Sequence, residues 1–424
     1  MRIILIIPVI LLFFSANLSA QNDFITLDKR TYDFFIRGDY DNLKKTADTI
    51  FSKGIDYYYL RLRLGMLAFS KQLYSSSLKN FSKAAEFNPG DTVSVSYIYY
   101  SYLYSGRKAD ADLYLKSIPP GNKTRELKSI RMSGVSDIFT GFSASDNDVY
   151  LYRINRLFYE SIKNSLSISA GFEGFFSGRF KGTLALTNYR KTGTVYSATD
   201  FTGTGLNISQ NQVYAKLTGY IFPGWEFSGF SQIVFYTDTF SPIQTGIGNS
   251  TNKSKTEYVA GVGTSKNGWK MRAGASFSLS NFSNSTQIRG EIYITWLPFG
   301  NLNVYATSGG MFQADKNWGP TYQANQELGF RITRFLWLES GIINGNSFLY
   351  TRNQGYVMNN SFQIPSTTIY GNIIFLPGKK FSITVTPFFT KIDTYSWNLA
   401  AYTKTNKVSL NSFGGTIKFV YKNK

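Results

Sequence analysis

The amino-acid sequence predicts a chain of two parts: a short helical domain followed by an antiparallel transmembrane β-barrel of about 14 strands, within a range of 12–16. Two observations predict this α plus membrane β fold class. Apolar residues recur with a helical period up to about residue 130, and with a period of two from there to the end of the chain. The alternating segments are about ten residues long, which is the length that a tilted strand needs to cross a bilayer.

The chain opens with the pattern of a secretory signal peptide over residues 1–20. A basic residue precedes an apolar run that ends at Phe14, and mostly small residues follow to Ala20. The run is too short to cross a bilayer as a helix. We therefore expect an exported chain of a Gram-negative bacterium, with residues 21–130 in the periplasm and residues 148–424 forming a barrel in outer-membrane lipid.

The composition restricts the chemistry that the chain can perform. It has no cysteine and no histidine, so disulfides, imidazole bases, and thiolate or imidazole metal ligands are excluded. We predict no catalytic residue, no cofactor and no metal site, and therefore a protein that is not an enzyme. The formal net charge of +19 would suit nucleic acid, but an exported chain rarely meets it, so no nucleic-acid partner is expected.

A 34-residue repeat is visible in the helical part of the sequence. Gly38, Gln72 and Gly106 align at 34-residue intervals, at the turn between two helices. Gly65 and Phe81 occupy the small and the aromatic positions of the middle repeat. This pattern resembles the tetratricopeptide (TPR) repeat, with one well-formed repeat and two degenerate ones flanking it. A generic helical bundle is the alternative.

The TPR resemblance implies stacked helix pairs with a concave surface that binds a segment of a protein partner. Tyr97, Tyr100 and Tyr104 are the candidate residues for lining this groove. The alternative is that these tyrosines fill positions in the core and between repeats. The partner predicted for the helical domain is a periplasmic protein.

The barrel part shows 14 alternating segments, the first at about 148–158. In residues 285–297, Ile292 and Trp296 lie on one face, and Arg289 lies on the opposite face. Residues 131–147 are predicted to be a linker or an additional strand.

The connections between the segments support the same architecture. Tight turns such as "FPGW" and "LPFGN" alternate with longer polar connections, as in outer-membrane barrels. Aromatic residues flank the tight turns, for example Phe222 and Trp225, and predict an interfacial girdle on one rim. We expect the tight turns on the periplasmic rim.

The polar faces of these segments are predicted to line the barrel lumen. The charged residues predicted there are Arg153, Lys181, Lys216, Lys270, Arg272, Arg289, Glu291, Glu327, Arg331 and Lys418. Such a wall could form a polar path for anionic or sugar-like solutes. The alternative is a salt-bridged interior that keeps charge out of lipid.

Helical repeats leading into a C-terminal barrel resemble the outer-membrane export subunits for exopolysaccharides and the YaiO-like barrel proteins. The resemblance lies in domain order, repeat spacing and strand pattern. It implies a periplasmic scaffold for partner proteins and a polar exit for a polysaccharide. We therefore expect a barrel that translocates or anchors a surface polymer or protein assembly. The alternatives are a plugged structural or assembly barrel of a surface machine, and a small-solute porin.

Overall fold

The structure of the protein is a computed structural model. It describes residues 24–423 apart from 131–133, 148–151, 154–157, 177–178, 198–202, 243–250, 283–284, 317–318, 347–349, 355, 360–363, 379 and 399–402. The predicted signal peptide lies outside the described residues. The chain forms two compact units, with the boundary after Ile130.

The first unit is helical. Its described helices are α1 (24–36), α2 (Tyr40–Ser52), α3 (Tyr58–Ser70), α4 (Tyr74–Phe87), α5 (Thr92–Tyr104), α6 (Lys108–Ser117) and α7 (Arg125–Lys128), with a short 3-10 helix at Pro120–Asn122. The helices α1, α3 and α5 start 34 residues apart, and so do α2, α4 and α6. This spacing agrees with the repeat predicted from the sequence. In the part of the chain that the structure describes, no helix is both long and apolar enough to span a membrane.

Backbone conformation explains the three aligned turn residues. Gly38, Gln72 and Gly106 all adopt a left-handed conformation, with φ of 69°, 61° and 77°. This conformation ends the first helix of each pair, and it favours glycine because glycine has no Cβ. Within the middle pair, a Cβ at Gly65 would lie 2.8 Å from Cε2 of the fully buried Phe81. The glycine therefore lets α3 and α4 approach closely.

The second unit consists of strands. They are β1 (Gly134–Asn147), β2 (Tyr152–Arg153), β3 (Phe158–Phe175), β4 (Phe180–Ser197), β5 (Gly203–Gly219), β6 (Trp225–Pro242), β7 (Thr251–Asn267), β8 (Met271–Ser280), β9 (Gln287–Trp296), β10 (Val304–Asp315), β11 (Gly319–Thr333), β12 (Leu336–Gly345), β13 (Tyr350–Arg352), β14 (Val357–Asn359), β15 (Ile364–Phe375), β16 (Phe381–Asn398) and β17 (Thr403–Lys422).

Fourteen of these strands form a closed antiparallel barrel: β1, β3 to β12, and β15 to β17. Closure is made by β1, which pairs with the last strand on one side and with β3 on the other. Phe139, for example, is opposite Val420 on β17 and opposite Gly171 on β3. A closed barrel pairs its backbone groups between strands and leaves no open edge in lipid. The predicted fold class is confirmed.

The barrel starts earlier in the chain than the sequence predicted. The stretch 131–147, predicted as a linker or an additional strand, contains the first wall strand, β1. Most of the predicted first strand at 148–158 lies outside the described residues; its described residues are the two-residue β2 and the first residue of β3. The alternation in β1 is blurred because Phe139 is buried inside the barrel, whereas Phe142 is exposed on the outer face.

The two faces of the wall differ as the sequence predicts for a bilayer. On β9, Ile292 and Trp296 are 67% and 54% exposed, whereas Gln287 and Arg289 are almost fully buried inside. Aromatic residues next to the tight turns, such as Phe222, are also exposed. Apolar side chains on the outer face and polar side chains inside are the arrangement of a membrane barrel.

Candidate functional site: the barrel lumen and its inserted hairpin

A small hairpin lies in the connection between β12 and β15. Its strands β13 and β14 pair only with each other among the described strands, with Arg352 opposite Val357. At the tip, Asn353 and Gln354 adopt left-handed φ angles of 53° and 55°. The amide of Tyr356 donates to the carbonyl of Asn353 at 3.3 Å. Left-handed backbone is uncommon for residues other than glycine, so this tip has an unusual conformation.

The tip of the hairpin packs inside the lumen. The ring of Tyr356 lies 5.2 Å from the ring of Tyr214 on β5 and 6.4 Å from that of Phe139 on β1. The hydroxyl of Tyr214 donates to the carbonyl of Gln354 at 3.3 Å. Both wall residues are buried inside the barrel. The hairpin, which is the described part of this connection, therefore lies inside the barrel and contacts the wall.

A glycine on β7 makes room for the tip. A Cβ at Gly263 would overlap Nε2 of Gln354 and would lie 3.0 Å from Oγ of Ser228 on β6. Oγ of Ser228 is also 3.5 Å from Oε1 of Gln354. Glycine within a strand often marks the close approach of another group. Here that group is the Gln354 side chain, which lies near the tight-turn ends of β6 and β7.

An apolar cluster covers the wall where the hairpin packs. We call it the inner apolar cluster; its buried members are Phe139, Ala185, Tyr214, Phe230, Val259 and Phe282, with Tyr356 and Val420 packed against them. The sequence predicted a polar lumen and missed these residues. The one feature of the sequence that could have indicated this cluster is an aromatic or branched side chain on the otherwise polar face of several segments.

A cavity of about 780 Å³ occupies the lumen beside the hairpin. Arg352, Asn353 and Val357 bound it on the hairpin side, and the strands β1, β3, β4, β9 to β12 and β15 to β17 supply the rest of its lining. Its charged lining residues are Lys191, Arg352, Glu291 and Glu327. Serine, threonine, asparagine and tyrosine side chains supply most of the remaining polar lining. We refer to this space as the lumen cavity.

The structure brings two of the predicted charged residues into direct contact. Nε of Arg289 lies 3.3 Å from Oε1 of Glu291, and Nη2 of Arg289 donates to Oγ of Ser278 at 3.0 Å. Ser276 donates to the other oxygen of Glu291 at 3.3 Å. Arg289 is only 4% exposed. This pair forms a buried ionic contact in the inner face of β8 and β9, as the salt-bridged interpretation of the lumen expects.

Three predicted lysines and arginines on other strands have nearby partners. Lys181 forms an ion pair with Glu173 across β4 and β3. The ammonium of Lys418 lies 4.7 Å from the ring centre of Phe139. The guanidinium of Arg331 lies 4.8 Å from the ring centre of Trp337, and its Nε donates to the carbonyl of Thr333. These residues lie on inner faces but are not part of the lumen-cavity lining.

The remaining predicted lumen residues have different environments. Glu327 lines the lumen cavity and accepts a hydrogen bond from the hydroxyl of Tyr370 at 2.7 Å. Lys216 and Arg272 are half-buried strand residues. Lys270 is exposed in the turn before β8, not within a strand. The side chain of Arg153 lies outside the described residues.

The tyrosines predicted to line a TPR groove belong to an aromatic cluster on the helical unit. Tyr97 stacks on Phe81 with ring centres 4.6 Å apart and planes at 5°, so it packs on the core of the middle repeat. Tyr104 is 51% exposed, and Tyr100 stacks on it at 6.0 Å. Tyr100 and Tyr104 are therefore better placed than Tyr97 to contact a binding partner.

Exposed apolar side chains recur at equivalent positions of the repeat. Ile25, Tyr59 and Val93 are 34 residues apart, lie on the first helix of each pair, and are all exposed. Ile36 and Tyr104 are also exposed and occupy equivalent positions of the first and third repeats. The first helices thus share an apolar exposed face, which we call the repeat face.

Two aspartates stabilise the first helices of the repeats. Burial acts to raise the pKa of Asp28, but hydrogen bonds from Arg63 and Tyr57 outweigh it and lower that pKa. Burial and the bond to Asp28 raise the pKa of Tyr57 to about 12. Asp91 caps α5 by accepting from the amides of Val93 and Ser94, and these bonds lower its pKa against the opposing effect of burial.

Comparison with known proteins shows the fold. No protein-family model and no curated protein matches the sequence. The deltaS2S3 mutant of the TodX monoaromatic hydrocarbon channel aligns with a TM-score of 0.50 and 6% identity, over 68% of this chain and 91% of that chain. A FadL homologue of Pseudomonas aeruginosa aligns with a TM-score of 0.43 and 8% identity, over 68% and 89%. The translocator domain of the autotransporter NalP from Neisseria meningitidis aligns with a TM-score of 0.34 and 10% identity, over 76% of this chain and 99% of that chain.

The fold and the lumen together define a class of protein. The chain carries N-terminal helices before a closed 14-strand barrel, a fold that it shares with the TodX channel mutant and that matches Gram-negative outer-membrane proteins. The closer resemblance to exopolysaccharide-export and YaiO-like proteins stays a prediction. Among the described residues, no group of three or more acidic side chains is placed to hold a metal ion.

Proposed function

We propose that the chain is a gated transport barrel of the outer membrane, and that its helical unit recruits a protein partner in the periplasm. The observation that carries the gate is the tip of the β13–β14 hairpin, packed inside the lumen beside a polar cavity. An inward-folded connection narrows a barrel, whereas a connection that folds outward leaves the lumen clear. We therefore infer that movement of the hairpin widens the path for a solute.

The contacts of the hairpin suit a movable element. Asn353 and Gln354 hold left-handed conformations, each of which costs on the order of 1–3 kcal/mol for a residue other than glycine. The contacts described for the tip include the inner apolar cluster, hydrogen bonds from Tyr214 and Ser228 to Gln354, and the close approach of Gln354 to Gly263. A wall strand is hydrogen-bonded along its length to a neighbour on each side, whereas among the described strands β13 and β14 pair only with each other, so the hairpin is displaced more readily than a wall strand.

Conductance in planar bilayers tests the gate. We expect small and infrequent currents from the purified wild-type protein, and larger currents from Tyr356→Ala, because this change removes the ring that packs on Tyr214 and Phe139. Tyr322→Ala is the matched control, since Tyr322 is 63% exposed on the outer face. Equal currents from wild type and both variants would contradict gating by the hairpin.

Chemical cross-linking tests the same gate by fixing the hairpin to the barrel wall. The sequence has no cysteine, so Ser228→Cys and Gln354→Cys introduce the only two thiols. These side chains are in contact, and a short bifunctional thiol reagent should join them and abolish current. Each single cysteine variant, treated with the same reagent, is the control. A variant that lacks the hairpin gives a further test. If neither this variant nor the wild type conducts current, the protein is instead a plugged structural barrel.

The repeat face supports the adaptor part of the proposal. Three exposed apolar side chains at equivalent repeat positions form a surface that a protein segment can cover. Photo-crosslinking in cells from position Tyr59 should give a discrete adduct with a periplasmic protein. The matched control is position Phe87, which is also half exposed but lies on the second helix of its pair. Identical adduct patterns from both positions would argue against specific binding of a partner at the repeat face.

Export of a surface polymer is the second candidate function. Its support is the order of the two units and the 34-residue spacing of the helices, which match the predicted resemblance to polysaccharide-export barrels. TodX is a channel for monoaromatic hydrocarbons, and solutes of that kind do not suit a cavity lined by hydroxyl, amide and charged groups. Loss of a surface polymer in a deletion strain, restored by wild type but not by the cross-linked barrel, would favour export.

A further inference from the structure

We propose that the lumen cavity is a binding site for a small uncharged solute rich in hydroxyl groups, of the size of a free sugar. This inference rests on the proposed transport function and names the class of solute. Such a site differs from a path for anions and from a path for an extended polymer. The inference follows from the composition, charge balance and size of the lumen cavity.

Hydrogen-bonding groups surround the lumen cavity on different strands. They include Ser143 on β1, Thr307 on β10, Asn325 on β11, Thr368 on β15 and Thr390 on β16. Hydroxyl groups donate and accept, and amides do both through separate atoms. A solute with many hydroxyl groups can satisfy such a wall from any side, whereas an apolar solute would displace water from these groups and offer no hydrogen bond in return.

Among the described residues that line the lumen cavity, the charged side chains are equal in number for the two signs. Two of these side chains are basic, Lys191 and Arg352, and two are acidic, Glu291 and Glu327. Glu291 is held by Arg289, and Glu327 accepts from the hydroxyl of Tyr370. A carboxylate or phosphate ligand would have to lose water next to these two glutamates. An uncharged solute avoids this cost, because desolvation penalises charged groups far more than hydroxyl groups.

Aromatic faces complete the site. Tyr189, Tyr293, Tyr370 and Phe388 line the cavity on four different strands. A flat aromatic side chain beside hydrogen-bonding groups offers apolar surface to the C–H face of a sugar ring, while its neighbours bind the hydroxyl groups. Sites for small molecules generally combine aromatic surface with a few orienting polar groups.

The size of the cavity limits the solute. A volume of about 780 Å³ lies within the range of roughly 300–1,000 Å³ found for small-molecule sites. Arg352 and Asn353 of the hairpin bound it on one side. A bound solute would therefore touch the hairpin itself, so binding would be coupled to the position of the gate.

Calorimetric titration of the full-length protein in detergent tests this site. The probes are glucose and maltose as uncharged solutes, with glucuronate, glucosamine and toluene as anionic, cationic and apolar comparisons. Glucose, glucuronate and glucosamine share one ring and differ in charge, so their comparison isolates charge selection. We expect saturable binding of at least one uncharged sugar at millimolar concentration, and binding of the other three that is at least about tenfold weaker.

Filling the cavity should abolish binding. Thr390→Trp places an indole at a half-buried lining position, where Thr390 now lies 3.0 Å from the hydroxyl of Thr368. We expect sugar binding to weaken at least about tenfold in this variant. Phe389→Trp introduces the same residue one position earlier, where the side chain packs against the exposed Phe413 on the outer face, and should bind as wild type does.

Three outcomes would overturn the inference. One is binding of glucuronate or toluene at least as tight as that of the sugars. Another is the absence of binding by both uncharged sugars, and the third is equal loss of binding in both tryptophan variants. The transport proposal is judged separately by the bilayer currents of Tyr356→Ala and of the cross-linked protein. A gated current without sugar binding would retain the transport function and remove this site.

Discussion

The ring of Tyr356, at the tip of the lumen hairpin, lies edge-on against the ring of Tyr214 on the barrel wall, with centres 5.2 Å apart and planes at 75°. The hydroxyl of Tyr214 also donates to the carbonyl of Gln354, 140 positions later in the chain. An aromatic pair of this kind contributes about 0.5–1.5 kcal/mol beyond the area that it buries. Loss of this pair through one substitution should therefore lower the fraction of molecules in which the hairpin is docked.

Substitution of Gly263 should release the hairpin without damaging the wall. In Gly263→Val, the new side chain occupies the space of the Gln354 amide, while valine suits a strand. Overpacking of about 1–3 kcal/mol would shift the docked population roughly 5–150-fold, and bilayer currents should rise accordingly. Gly290→Val on β9 is the control, because a Cβ there meets no atom within 4 Å. Currents that rise equally in both variants would show that the effect is not specific to the hairpin.

Patterns that depend on local backbone geometry could be predicted from the sequence. The alignment of Gly38, Gln72 and Gly106 marks three turns that need left-handed backbone, and all three have it. The alternation of side chains in the barrel follows from the two faces of a strand, one in lipid and one in the lumen. Both patterns lie within short stretches of chain and repeat many times.

Contacts between distant residues could not be predicted in this way. The hairpin is specified by Tyr356 meeting Tyr214 and Phe139, which lie on strands far away in the sequence. Inward aromatic residues of this kind also break the polar pattern of the lumen face, which is why residues 131–147 could be predicted only as a linker or an additional strand. Ion pairs such as Arg289 with Glu291 were visible as lumen charges, but their contact depends on side-chain direction.

Removal of one partner from the buried ion pair should weaken the barrel. Glu291→Gln leaves the guanidinium of Arg289, 4% exposed, without its carboxylate. Breaking a buried ion pair in this way costs about 3–5 kcal/mol of unfolding free energy. Because Arg289 keeps its hydrogen bond to Ser278, we expect a loss near the lower end of this range. Urea unfolding of the barrel in lipid vesicles, followed by tryptophan fluorescence, measures the loss.

Glu327→Gln is the comparison for that experiment. Glu327 accepts from the hydroxyl of Tyr370, and an amide oxygen can still accept this bond. We expect a loss of about 1 kcal/mol or less, the scale of one hydrogen bond. If both variants lose the same stability, the Arg289–Glu291 contact is not the buried ionic pair that the geometry describes.

Enlargement of Gly65 should destabilise the helical unit. Gly65→Leu forces a side chain into the ring of Phe81, which is fully buried and stacked on Tyr97. Overpacking costs about 1–3 kcal/mol, of which about 1 kcal/mol is offset by the better helix propensity of leucine. The thermal loss of the helical circular-dichroism signal of the full chain measures the change. Gly90→Leu, in an exposed turn, should leave the transition unchanged, and an equal shift in both would contradict the packing argument.

Acid should lower the stability of the helical unit. The pKa values of Asp28 and Asp91 are lowered from the ordinary 3.8, because hydrogen bonds to the ionised carboxylates outweigh the effect of burial. A lowered carboxyl pKa gives stability that is complete above the ordinary value and is lost as pH falls through the lowered one. The helical signal of the full chain should therefore become less heat-stable below about pH 4. Asp91→Asn, which keeps a capping side chain without its charge, should show a smaller acid effect. An unchanged acid effect in Asp91→Asn would exclude this cap as a source of the pH dependence.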